Sequence, residues 1–490
     1  MELDVELLNV GPESPHDSRE AVAVDIPIEI ELAPIDPARL GPIIGGDRID
    51  RLLSAAAAAG RVLDGRAVVN VNSTSAGGGV AEMLNTLLGY ARAMGIDARW
   101  VVIGGDVSFF AVTKRIHNGL YGGPGDGGEL GPRERADYEH VLRMNAESLS
   151  GRLGRRDVLV LHDPQTAGLI PLLRDRVEKV VWRCHVGLDR STVWADRAWE
   201  FLRPYLEQAD ALVFSRREFA PDWIDPHRLA VVPPSIDPFT PKNQELPGNV
   251  VRAMLATSGV LAPDGIRPLP VGLSVEHVEL TRDGVVPDAA APLVVQISRW
   301  DGMKDMTGVM QAFTEFVDPA LGAHLILAGP SVDGVGDDPE EAQVLAEVQA
   351  QWETLAPEQR PRVHLACIGM GDLAANARVV NALQSHAAVV VQKSLAEGFG
   401  LTVAEALWKR RPVVASAVGG IVAQVTDGEE GLLVEPLDLA AAGAAIGTLL
   451  ADEALRRRMG EKGRRRVVAQ FLADRHLEQY AALLVRLLDD

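Results

Sequence analysis

The sequence predicts an α/β protein of two doubly wound Rossmann-like domains facing a central cleft. Three observations carry this. Short β-branched apolar runs alternate with longer helical patterns along most of the 490 residues. The runs are continuously apolar, as strands of parallel sheets buried on both faces must be. Twelve runs fall into two sets of six, separated at 235–291 by a stretch rich in Pro, Gly and Asp. Length agrees, since about 100–200 residues per domain gives room for two to four.

The first set reads RAVVNVN (66–72), ARWVVIG (98–104), DVLVLHD (157–163), KVVWRCH (179–185), ALVFS (211–215) and LAVVPP (229–234). The second reads PLVVQISR (292–299), AHLILAG (323–329), RVHLACIG (362–369), AAVVVQKS (387–394), RPVVASA (411–417) and GLLVE (431–435). Helical patterns lie at 47–59, at about 132–153, and twice within 454–488. Residues 1–40 read as irregular, with an extra strand or arm. The breaker-rich stretch includes GLSVEHVELTRDGVVPDA, longer than a linker requires, which reads as a hairpin. The Arg-rich LRRRMGEKGRRR near the end reads as a solvated helix face rather than an anion patch.

Composition narrows the function. The hydrophobic fraction is 47% and aromatics only 5%, so the cores are aliphatic. A formal net charge of −20 argues against a general nucleic-acid or membrane-surface role. It leaves room for anionic ligands, which bind through a few local amides and cations. Two cysteines, Cys184 and Cys367, make neither a disulfide framework nor a zinc site, and read as inert core residues. The acidic start MELDVELLNV lacks the features of a signal peptide, and no run reaches ~18 apolar residues. A cytoplasmic protein is expected.

The richest motif is Glu397-Gly398-Phe399-Gly400-Leu401-Thr402, with Glu405 eight positions after Glu397. It follows a strand and opens the helix LTVAEALWK. A helix start offers unpaired N–H groups and a positive dipole end, and glycines let a ligand approach the backbone. That combination binds phosphate. Glu405, about one turn inside, suits a diol such as ribose, while Glu397 stands nearer whatever the phosphate carries. The plain alternative is a helix start with acids complementing its dipole. Arg299 and Lys304, in the loop SRWDGMK after a strand, can neutralise a diphosphate leaving group. Gly77, Gly78 and Gly79 form a strand–glycine–helix turn, a phosphate or sugar cradle in the first domain. His185 ends another strand toward the cleft, suited to a sugar hydroxyl or a cationic transition state. His162-Asp163-Pro164-Gln165 ends a third and supplies acceptors for sugar hydroxyls. No metal-ligand motif occurs, and a transferase whose leaving phosphate is held by Arg and Lys needs no divalent ion.

Together these residues resemble glycosyltransferase family four, the retaining, metal-independent enzymes of the two-Rossmann GT-B fold, whose mark is the acidic pair Glu397 and Glu405. The strings VNSTSAGGGVAEML, FFAVTKRIHNGL, LHDPQTAGLIP, WRCHVGLD, VVPPSIDPFTPKN, ISRWDGMKD and QKSLAEGFGLTVAEALWKRRPVVASAVGGI are similar to the trehalose glycosyltransferring synthase group. The resemblance covers about 66–435 and implies roles. Glu405 would hold the ribose. Glu397 and the amides of Phe399, Gly400 and Leu401 would hold the donor glucose and its phosphates. Arg299 and Lys304 would bind the diphosphate, His185 the donor sugar near its anomeric carbon, and Gly78 and Gly79 the donor phosphate side. Asp163 and Gln165 would face the acceptor sugar.

The domains expected are 1–245 plus 470–490, binding acceptor, and 291–469, binding the nucleotide sugar, with 246–290 as linker or insertion. The expected reaction is reversible, retaining formation of trehalose from nucleoside-diphosphate glucose and glucose, with no cofactor required. Partners are small-molecule sugars and a nucleotide, with no nucleic acid and no membrane; a homodimer is left open. The alternatives are a retaining trehalose phosphorylase, a transferase with another sugar acceptor, and a non-catalytic sugar- or nucleotide-binding protein.

Overall fold

A computed structural model describes residues 27–75, 78–332 and 339–489. Gly77 and residues 1–26 of the expected arm lie outside them. The first sheet holds β1 (Ile28–Ile30), β2 (Val68–Asn72), β3 (Ala98–Val102), β4 (Val158–His162), β5 (Lys179–Arg183), β6 (Ala211–Phe214) and β7 (Leu229–Val231). The second holds β8 (Val278–Thr281), β9 (Leu293–Ile297), β10 (His324–Pro330), β11 (Val363–Ile368), β12 (Val389–Gln392), β13 (Val413–Ser416) and β14 (Gly431–Val434). Each of the twelve apolar runs coincides with one of these strands, to within a few residues at its ends. β2, β4, β6, β9, β11, β12 and β13 are buried along their whole length, as strands covered on both faces must be.

The two further strands, β1 and β8, are edge strands, antiparallel to β3 and β11. Both are short and only partly apolar, so no continuous run announced them. β8 corrects the hairpin expected at 272–289: the segment pairs with β11 rather than with itself. Residues 246–290, expected as a linker or insertion, are built into the second unit. Besides β8 they carry the helix Gly248–Thr257, whose buried Met254 and Leu255 share a core with Leu293, Val379 and Leu383.

The strand order is β1-β3-β2-β4-β5-β6-β7 in one sheet and β14-β13-β12-β9-β10-β11-β8 in the other. Each order reverses once: between β2 and β4, and between β9 and β12. At such a switch point the loops beyond the strand ends diverge and leave a crevice where ligands bind. The loops after β2 and β4 carry Gly78 and Asp163; those after β9 and β12 carry Arg299, Lys304 and Glu397.

The last helix, Ala473–Leu488, is amphipathic and returns to the first sheet, where Leu483 and Leu484 pack with Val68, Val158 and Val160. Its approach is pinned by a bridge between Ile236 and Leu472. The Arg-rich helix Glu453–Gln470 is only in part a solvated face. Arg464 stacks on Trp408, 3.0 Å from the ring centroid, and pairs with Glu245 at 2.6 Å; Arg457, Arg458 and Arg465 are exposed.

Candidate active site

The loop after β12 carries the densest chemistry. Glu397 is only 7% exposed, and one carboxylate oxygen gathers three donors. Lys304 Nζ lies at 2.7 Å, Ser394 Oγ at 3.1 Å and Gln392 Nε2 at 3.4 Å. The fixed geometry begins in the neighbouring strands. Gln296 of β9 donates to Lys304 O at 2.7 Å and accepts from Lys393 N at 3.0 Å, tying the loops after β9 and β12 together. Leu395 N donates to Met303 O at 2.8 Å. Lys393, 1% exposed, pairs with Asp305, which also caps the helix Met306–Phe316. Asp301 caps the short turn Gly302–Lys304 and pairs with Arg299 at 3.3 Å. Burial pushes its carboxyl up, but Lys304, Arg299 and the Met303 amide outweigh that and hold it below the usual carboxylate range.

The helix Leu401–Trp408 starts from Gly400, so the glycine motif does open a helix. The turn is clamped from behind by Gln424, whose amide donates to the carbonyls of Phe399 and Gly400. The following chain leaves no room for a side chain: a Cβ on Gly419 would sit 1.7 Å from Glu397 O, and φ there is +50°. Gly419 N donates to Asp189 of the first domain at 2.6 Å, and Arg216 reaches both Asp189 and Gly419 O, a clasp across the cleft.

Glu405 is 5% exposed and faces the interior of the interface. It accepts from Gln384 at 3.2 Å and lies 3.9 Å from Lys242, which pairs with Glu82 of the first domain at 2.6 Å. Lys409 stands one turn on, bonded to Gln384 and Asn243. Burial drives its ammonium down to about 7, against the pull of Glu405. A buried carboxylate in this setting can accept hydrogen bonds from a hydroxyl group.

The first domain brings five expected residues to the same cleft. Gly78 and Gly79 open the helix Gly79–Ala93, whose start lies against Leu401 of the second domain. His185 is half-buried beyond the end of β5, and its carbonyl would be 2.6 Å from a Cβ on Gly398, so the two loops pass nearly in contact. Asp163 holds φ at +62°, uncommon for a residue with a side chain, and accepts from His185 N at 2.7 Å. Burial raises its carboxyl to about 7, against the opposing pull of the His185 amide and Arg183. Gln165 follows on the same short helix, Asp163–Thr166, half-buried.

Several participants were not read from the sequence. Tyr121, just after the helix Val107–Leu120, brings its hydroxyl to 2.9 Å from where a Gly398 Cβ would be, and burial and Glu397 raise its phenol. Its one signal in the sequence is that it opens the Gly-rich stretch YGGPGDGGELG at 121–131. Lys242, Gln384 and Lys409 come from three separate segments and carried none. Asn70 was hidden inside an apolar strand. The cysteines behave as expected, both buried and in no disulfide. Among the described residues no group of three or more His, Cys, Asp or Glu is placed to hold a metal ion, and no helix is long and apolar enough to cross a membrane.

Two Rossmann-like domains, with a glycine turn at a helix start, paired cations and an acidic pair on one side and a histidine loop on the other, define a glycosyltransferase of the GT-B fold. Residues 279–466 match the family "Glycosyl transferases group 1", and residues 70–221 match "Trehalose synthase, N-terminal domain". The trehalose synthase of Rubrobacter xylanophilus is 36% identical over 436 residues, 88% of this chain and 92% of that one. The chain belongs to the trehalose synthase family. A trehalose phosphorylase of Grifola frondosa is 28% identical over 81% of this chain, which spans only 54% of that protein. Among solved structures, an α,α-trehalose-phosphate synthase (UDP-forming) from Burkholderia vietnamiensis superposes with a TM-score of 0.63 at 16% identity, over 86% of this chain and 98% of that one.

Proposed function

We propose that the protein makes trehalose reversibly from a nucleoside-diphosphate glucose and free glucose, with retention at the anomeric carbon. The observation that carries this is the Lys304–Glu397 pair at the second switch point, facing His185 across the cleft. In this reading Lys304 and Arg299 take the diphosphate, with the amides of Phe399, Gly400 and Leu401 at the positive end of their helix. Glu397 orients the donor glucose and is not a covalent nucleophile. Glu405 receives the ribose hydroxyls. Gly78 and Gly79 lie on the donor phosphate side.

The glucose C1–O bond to the leaving phosphate breaks as the acceptor oxygen bonds to C1 on the same face. The acceptor's hydroxyl proton passes to the departing phosphate oxygen. Preorganised cations stabilise the charge that develops there. Asp163 and Gln165 face the acceptor, and closure of the domains excludes water, which would otherwise hydrolyse the donor. No cofactor enters this scheme, and its partners are small sugars and a nucleotide.

Incubation with a panel of nucleoside-diphosphate glucoses and free glucose, followed by proton NMR, tests it. The trehalose anomeric signal is expected with at least one donor in the absence of phosphate. Trehalose made only from glucose 1-phosphate, or cleaved only when phosphate is added, would move the assignment to a phosphorylase. Product seen only with a sugar phosphate would change the acceptor.

A further inference from the structure

Behind His185 lies a buried chain of hydrogen bonds. His185 Nε2 is 3.0 Å from His162 Nδ1, and His162 Nε2 is 3.1 Å from Asn70 Oδ1. The two imidazoles are stacked, centroids 5.3 Å apart and planes 16° off parallel. Asn70 sits on β2 and His162 ends β4, so the chain crosses the first switch point beneath the cleft. Asn70 is 5% and His162 3% exposed, and among the described residues Asn70 Nδ2 has no hydrogen-bond partner. The amide therefore meets the protein's polar groups through its oxygen alone.

Proton counting orders the chain. An amide oxygen only accepts, so His162 Nε2 carries the proton toward Asn70. In a neutral ring His162 Nδ1 is then a lone pair, and it takes the Nε2 proton of His185. A neutral His185 keeps one free acceptor, Nδ1.

We propose that Asn70 and His162 are positioning residues that fix His185 as the Nε2–H tautomer, so that its Nδ1 accepts a substrate hydroxyl. This rests on the reading above in which His185 meets the sugar. The surroundings favour neutral rings. Burial first, then Arg183, holds His162 near 3, and burial, Arg183, His162 and His476 hold His185 well below the usual imidazole range. The charged and titratable groups around the chain are Arg183 of β5, Asp163 after β4, Cys184 beside His185, and His476 and Tyr480 of the last helix. Glu397 stands on the facing loop. Of these only Asp163 and Glu397 would favour an imidazolium. Asp163 spends Oδ1 on the His185 amide and Glu397 is engaged by Lys304.

The test begins without substrate. Nitrogen-15 NMR of histidine-labelled protein, assigned with His185→Gln and His162→Gln, should show His185 protonated at Nε2 and bare at Nδ1 at neutral pH. The opposite tautomer would overturn the proposal whether or not the protein makes trehalose, so its failure is distinct from failure of the functional reading. The second arm places charge on the chain. Asn70→Asp should raise the imidazole titration toward the ordinary range near 6.5 and add an acid limb to kcat/KM, about tenfold lower per pH unit below it. His162→Gln, whose carbonyl can still accept from His185, should stay within about tenfold of wild type in kcat, while His162→Leu should fall by about a hundredfold. An unchanged pH profile in Asn70→Asp, or equal losses in the two His162 variants, would reduce the chain to a structural contact.

Discussion

The acidic pair separates into two jobs once its neighbours are known. Glu397 shares its charge with Lys304 and two neutral donors, whereas Glu405 faces Gln384 and two lysines at the domain interface. Removing Lys304 therefore does more than remove a phosphate contact. Lys304→Ala leaves a buried carboxylate without its cation, which costs about 3–5 kcal/mol in comparable pairs. A lowered midpoint in urea should accompany a large fall in kcat, and an unchanged midpoint would show that Glu397 finds another partner. Glu405→Ala should act mainly on binding. Loss of a charged hydrogen bond of about 1.5–3 kcal/mol corresponds to roughly 10–150-fold weaker donor binding by calorimetry. Equal donor affinity and turnover in this variant would remove Glu405 from the ribose.

At the scale of elements, the site consists of loops held by strands that the sheet order places side by side. Gln296, inside β9, serves both Lys304 and Lys393, so the cation loop and the acidic loop are joined through a single buried amide. The turn at Glu397–Gly400 is backed by the chain at Gly419 and Gly420, whose own course is set by Asp189 and Gln424. Gly419→Ala should force the Glu397 carbonyl and the Gly419 backbone apart by about an ångström. A misplacement of that order costs about a hundredfold in rate. The expected result is a fall in kcat with little change in far-ultraviolet circular dichroism. Wild-type kcat in this variant would show that the Glu397 turn yields without consequence.

Across the whole molecule, the features that join the domains include the clasp of Arg216, Asp189 and Gly419 and the return of the last helix to the first sheet. Leu484→Ala should destabilise the protein by about 2–5 kcal/mol, the usual cost of truncating a buried leucine, read as a lower denaturant midpoint. A shift under ~1 kcal/mol would mean that the helix is held elsewhere. Stability should also fall in acid. Burial foremost holds His162 and His364 near 3, and His117 and His386 near 4, against 6.5 when unfolded. Between those values the unfolded chain binds more protons. Their contribution is thus fully present above about 6.5 and is lost as pH falls through the folded values, by up to about 1.4 kcal/mol per pH unit for each histidine. Asp163 runs the other way: raised to about 7 from 3.8, it favours the fold below 3.8 and loses that contribution as pH rises through 7. Denaturation followed from pH 7 to 4 should show the net loss; a flat curve would place these histidines in contact with water.

The sequence by itself determined the fold class and the family. Twelve apolar runs needed no tertiary information, because strands buried on both faces must be apolar throughout. The Glu397–Glu405 spacing was legible because one strand–turn–helix unit contains all of it. Edge strands such as β8 left no such trace, since one side is open and their alternation is short. The surroundings of the site were decided only by the tertiary structure. Lys242 meets Glu405 from 163 positions away, and Asn70 reaches His162 across 92. Which polar residue meets which across a switch point depends on strand order and on how the two sheets close. Neither is written in local spacing, so local patterns identified the loops and the fold alone chose the partners.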